Sequence, residues 1–165
     1  MLLVHPSALM YSELYLRLEP IGLERVAASI RAAGHEVRLL DLQIFTAADY
    51  RAELASFRPQ AVGFSMNYLA NAPEIIDFAK ETKRLLPDCF FMIGGHSGSF
   101  IADELLEHGH GAIDCVVRGE GEVIAPACWR RSAIPSSRHS RGGDPPGARA
   151  LPDSSRGPRH LSPRP

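Results

Sequence analysis

Four short segments hold the residues whose types and spacing could do chemistry. Val62-Gly63-Phe64-Ser65 is an apolar run that ends on a hydroxyl and continues into Met66 and Asn67. Phe91-Met92-Ile93 runs into Gly94-Gly95-His96, and the run from Ile113 to Val117 leads to Gly119-Glu120-Gly121-Glu122. Leu2-Leu3-Val4 opens a long loop that begins His5-Pro6-Ser7 and passes through Tyr11. In an open parallel α/β sheet, a ligand sits outside the carboxyl ends of strands, where such segments gather. A glycine pair lets backbone come close to a flat, bulky group. A serine hydroxyl can hydrogen-bond a buried ring nitrogen. Ser65, Met66, Asn67, Gly94, Gly95, His96, Ser7, Tyr11, Gly119 and Glu120 are therefore the candidate cofactor-binding residues.

The same loops exclude several ligands. A dinucleotide site needs G-x-G-x-x-G directly after the first strand, and no glycine occurs there before Gly22. No Walker phosphate loop is present, and Gly119-x-Gly121 is too short to argue one. A receiver-type phosphorylation site would need adjacent acids after the first strand, which are missing. The first loop instead carries Met10, Tyr11, Leu14, Tyr15 and Leu16, which suits a bulky, largely uncharged ligand or a partner domain. Each candidate also has a plain structural use: Ser65 as a strand end, Gly94-Gly95 as a tight turn, Tyr11 and Tyr15 as packing. The ordered set, rather than any member, carries the reading.

The elements that must position these residues alternate between the two periods. Strands are expected at Leu2 to Val4, Glu36 to Leu40, Ala61 to Ser65, Phe90 to Ile93 and Ile113 to Val117. Pro20 opens a helix with Leu23, Val26, Ala27 and Ile30 on one face, closed by Gly34. Thr46-Ala47-Ala48-Asp49 has the form of a capping box. Asn71 can cap a helix with Pro73 and Glu74 in its first turn, and Ser97 or Ser99 can cap the next, which carries Ile101, Leu105 and Leu106. Strands alternating with helices imply a flavodoxin/Rossmann-like α/β fold, a five-stranded parallel sheet with helices on both faces. The helix that should cover the last strand is expected to be missing or degraded, since Pro126, Pro135 and Pro145-Pro146 interrupt the chain there.

Composition divides the 165 residues in two. Residues 1–123 hold ten Lys and Arg against seventeen Asp and Glu. Residues 124–165 hold eight Arg, no Lys, two acids and eight of the thirteen prolines. The expectation is a folded domain over 1–123 and a disordered Arg/Pro/Ser/Gly-rich tail over 124–165, the tail being an out-of-frame or otherwise broken continuation of GC-rich coding sequence, ranked above a genuine basic tail for acidic partners. Of the three cysteines, Cys89, Cys115 and Cys128, none forms C-x-x-C, so neither a disulfide framework nor a zinc site is indicated. Cys89 and Cys115 read as small core residues. No span reaches membrane length and no signal peptide is evident, which makes a cytoplasmic protein the expectation.

Residues 20–41, with 58–65, Ile93-Gly94-Gly95-His96 and 114–122, resemble the N-terminal cobalamin-binding domain of B12-dependent radical SAM enzymes. The resemblance covers roughly residues 1–123, and residues 5–20 look most like the hopanoid C-3 methylase branch. It implies that the nucleotide tail of cobalamin slides between strand ends beside Ser65 and Gly94-Gly95. It also implies a radical SAM domain or subunit as partner, holding a [4Fe–4S] cluster and S-adenosylmethionine, and that cluster's three-cysteine motif is not in this chain. The chain is then a binding module without complete catalytic machinery of its own. Asn67 departs from the family's leucine at that position. The D-x-H-x-x-G motif whose histidine binds cobalt in methyltransferase and mutase relatives is absent, and His5 does not match its place, so no protein ligand to the metal is expected. Two other readings stay open: a corrinoid carrier subunit, and a flavodoxin-like interaction domain with no cofactor. No nucleic-acid partner is expected.

Overall fold

The computed structural model describes residues 1–8 and 19–132. The elements run β1 (Leu2–His5), α1 (Ile21–Ala32), β2 (Arg38–Asp41), α2 (Ala47–Phe57), β3 (Ala61–Ser65), a 3-10 turn (Leu69–Asn71), α3 (Ala72–Leu85), β4 (Phe90–Gly94), α4 (His96–Phe100), α5 (Ala102–Gly109), β5 (Cys115–Val116) and α6 (Gly121–Ser132). All strand pairings are parallel, in the order β2-β1-β3-β4-β5. That order reverses direction between β1 and β3, the switch point where flavodoxin-like sheets take ligands.

The two faces of the sheet are packed differently. On one, α2, α3 and α5 cover Leu2, Val4, Val62, Phe64, Phe91 and Ile93. Tyr50, Phe64, Phe78 and Phe91 form a chain of ring contacts there, with centroids 4.7 Å to 5.8 Å apart. The Tyr50 hydroxyl bonds the buried Thr82 hydroxyl, so the phenol's polar end is satisfied. On the other face, α1 and α6 meet Leu3, Met92, Cys115 and Val117. Ser65 and Gly94 leave part of that face without bulk, while Leu3 and Met92 close over Gly63.

Local signals explain most boundaries. The capping box at Thr46 and Asp49 is complete, with both reciprocal bonds formed. β5 is shorter than the apolar run around it. Asp114 accounts for this: its Oδ2 accepts the Phe91 N–H at 2.6 Å and also meets Lys83 Nζ at 2.7 Å. A side-chain carboxylate thus takes a donor that the strand ladder would otherwise use. Cys89 and Cys115 are buried as expected, and burial pushes the Cys89 thiol up to about 11.

The last helix corrects the sequence reading. It is present over Gly121–Ser132 and crosses the expected boundary at residue 123. Its sixth residue is Pro126, which has no N–H to give the carbonyl of Glu122 four residues back. The Ser29 hydroxyl of α1 donates to that carbonyl at 2.6 Å instead. The bond the proline cannot make is supplied from the neighbouring helix. Ala125 is buried, and Gly121 lets the two helices approach, since a Cβ there would stand 3.1 Å from Val26 Cγ2. The remainder of the expected tail, 133–165, lies outside the described residues.

Candidate functional site

The site follows from one row of residues across the sheet. His5 pairs with Asp41, Ser65 with Gly94, and the β1–β3 register carried one residue further sets His5 beside Ser65. Side chains two apart share a face. His5, Ser65 and Gly94 therefore lie above Leu3, Gly63 and Met92 on the α1/α6 side. All six line a cleft of about 400 Å³ that opens at the carboxyl ends of the strands and runs down between sheet and helices. Pro20, Val26, Val117 and Ala125 contribute apolar wall, and Glu120 and Glu122 stand at its mouth.

The two glycines do different work. A Cβ built at Gly94 meets only Val117 Cβ, at 3.8 Å, so the missing side chain is cleft space. Gly95 has φ of 101°, and a Cβ there would lie 2.7 Å from Met66 O and 2.8 Å from Met66 N. Its bareness admits the backbone of Met66, not a ligand. Met66 N in turn donates to Gly94 O at 2.7 Å, and Ser97 N donates to Met66 O at 3.1 Å. Ser97 Oγ closes the same knot on Asn67 O at 2.7 Å. Ser97 and Ser99 are thus inside α4, and the helix starts from Gly95 rather than from a serine cap.

The first loop is held by α3. Glu74 accepts the Ser7 N–H at 3.2 Å and also bonds the Ser7 hydroxyl. Asn71 Nδ2 donates to Ser7 O at 3.2 Å. Asn71 stands at the N-cap position, yet its side chain serves this tether and does not cap the helix. A carboxylate in a first helical turn is itself favourable.

Of the candidate residues, Ser7, Ser65, Asn67, Gly94, Gly95, Gly119 and Glu120 border the cleft. The Ser65 hydroxyl makes no hydrogen bond to any described residue, whereas that of Ser7 is committed to Glu74. Met66 is fully buried in the opposite core, because a strand residue after Ser65 points to the other face. His96 is exposed and packs edge-on against Phe100, with centroids 4.9 Å apart, away from the cleft lining. Tyr11 lies outside the described residues. Sequence reasoning missed Gly63 and His5 as cleft residues. Gly63 was legible as a glycine in a central strand, which often marks close approach.

His5 is half-buried. Its Nδ1 is buried without a hydrogen-bond partner among the described residues. Loss of hydration lowers its pKa, and the nearby charge of Asp41 opposes this only in part. Two exposed apolar side chains, Ile21 and Tyr68, also border the cleft. Among the described residues, no helix is long and apolar enough to cross a membrane.

A doubly wound sheet with a deep, mostly apolar cleft at its switch point defines a small-molecule or cofactor-binding module. The family is shown by direct comparison: residues 9–128 match the model of the B12 binding domain, and the chain belongs to that family. The chain is also 60% identical over 123 residues to the hopanoid C-3 methylase of Methylococcus capsulatus (strain ATCC 33009 / NCIMB 11132 / Bath). The match spans 74% of this chain and 24% of that relative, so the chain corresponds to about a quarter of the relative's length.

Proposed function

We propose that this chain is the cobalamin-binding module of a methyltransferase similar to hopanoid C-3 methylase, with the nucleotide tail of the corrinoid lying in the α1/α6 cleft. The observation that carries this reading is the empty volume above Gly94, flanked by an unengaged Ser65 hydroxyl. Those residues fit the group: the space admits a flat base, the hydroxyl can meet a ring nitrogen, and the walls are apolar. When bound, the corrinoid supplies a cobalt that can carry and release a methyl group.

This chain's own residues would bind and orient. The knot at Met66, Gly95 and Ser97 fixes the loop after β3, and Glu74 fixes Ser7. The exposed side chains of Ile21 and Tyr68 at the cleft offer apolar surface for the corrin ring's edge, and a radical SAM domain or subunit would close over it. The methyl acceptor would then be engaged outside this chain. A cytoplasmic setting accords with Cys89 and Cys115 being buried thiols rather than disulfide partners.

The test is direct. Purified full chain is mixed with hydroxocobalamin, passed through gel filtration and read by its visible spectrum. Co-eluting corrinoid in the base-off form is expected, since a tail held in the cleft cannot also bind cobalt. No retained colour would reject the reading in favour of an interaction domain.

A further inference from the structure

His5 ends β1 at the switch point, between Asp41 of β2 and Ser65 of β3. Its Nδ1 is buried and has no hydrogen-bond partner among the described residues. Buried polar atoms are nearly always paired, and an unpaired one at a cleft wall calls for a ligand that completes it. The protein groups nearby are otherwise engaged: Asp41 Oδ1 accepts the Gln43 N–H at 2.9 Å, and the Ser7 hydroxyl is held by Glu74. Below it on the same face lie Leu3, Gly63 and Met92, which carry no polar side-chain group.

We infer that His5 Nδ1 hydrogen-bonds the nucleotide tail of the bound corrinoid, beside the Ser65 hydroxyl, so that two strand-end polar atoms hold the tail together. This rests on the corrinoid reading above. The tail is the fitting part, since its base, ribose and phosphate are narrow, whereas the corrin ring is too broad to enter between two strands and α1. The ring of His5 is neutral near neutral pH, because burial outweighs the charge of Asp41. A neutral imidazole offers one N–H and one lone pair, and either tautomer gives Nδ1 a role.

The experiment compares two corrinoids: hydroxocobalamin, and hydroxocobinamide, which lacks the nucleotide tail. The full-length His5→Phe variant keeps a ring and loses both nitrogens. It is expected to bind hydroxocobalamin about five- to tenfold more weakly, the worth of one such bond, with cobinamide affinity unchanged. His5→Asn, which returns a polar atom near the Nδ1 position, is expected to recover most of the loss. Thermal melts of both variants verify that they fold. Equal weakening toward both corrinoids, or no weakening toward either, overturns the tail contact while leaving the corrinoid reading intact. A wild-type chain that binds neither corrinoid overturns both.

Discussion

Replacing Gly94 and replacing Gly95 should have opposite consequences, although the residues are adjacent and chemically identical. At Gly94, a side chain enters the cleft: a Cβ finds only Val117 Cβ at 3.8 Å, and the backbone is not in the left-handed region. Gly94→Leu should therefore fold with stability within about 1 kcal/mol of wild type, since a strand glycine carries an entropic penalty that the substitution removes. The same leucine occupies space the ligand needs. Overpacking costs about 1–3 kcal/mol, which corresponds to an affinity loss of about five- to 150-fold for hydroxocobalamin. At Gly95, φ of 101° and three Met66 backbone atoms within 2.9 Å of the built Cβ leave no room even for alanine. Gly95→Ala should lose about 2–4 kcal/mol of stability from backbone strain and overpacking, a fall in melting temperature of about 10 °C. Equilibrium dialysis against hydroxocobalamin and thermal melting monitored by circular dichroism separate the two effects. A Gly94→Leu protein that melts normally and binds hydroxocobalamin as tightly as wild type would refute the placement of ligand in this cleft.

Three further outcomes are expected. Ser29→Ala strands the Glu122 carbonyl that Pro126 cannot serve, and should cost about 1–2 kcal/mol, seen in chemical denaturation and as faster amide exchange confined to α6. The depressed pKa of His5 makes the unfolded chain bind a proton more readily than the folded one. Stability should therefore fall as pH drops below the ordinary histidine value of 6.5 toward the lower folded value. The His5→Asn variant should show a shallower slope over that window in urea melts. Cys89, buried with its thiol at about 11, should resist alkylation at pH 8 in the native state and react once the chain is unfolded, as read by mass-spectrometric mapping.

The parallel alternation of strands and helices up to β5, and the place of Ser65 and Gly94 at strand ends, were legible because alternation of period and punctuation by proline and glycine are local signals. Orientation was less so. Met66 follows Ser65 directly and looks like part of the same site, yet the pleat sends it into the aromatic core on the opposite face. Gly94 and Gly95 read as one pair, and only the backbone angle at Gly95 separates a gap for ligand from a gap for Met66. Asn71 has the type and place of a cap, but its amide is drawn to Ser7 by a contact 64 residues away in sequence, and no local rule contains that. α6 was hidden for the same reason. A hydroxyl from α1 stands opposite the carbonyl that Pro126 leaves without an intrahelical donor.

That borrowed hydroxyl makes the two helical walls mechanically one. A perfect α6, with alanine in place of Pro126, could drift from α1 without losing any bond of its own. The natural α6 gives up the Ser29 bond to its Glu122 carbonyl when it leaves its neighbour. The imperfection thus adds to the Arg25–Glu122 ion pair a second tie between the walls of the groove, and whatever enters must do so without prising them apart.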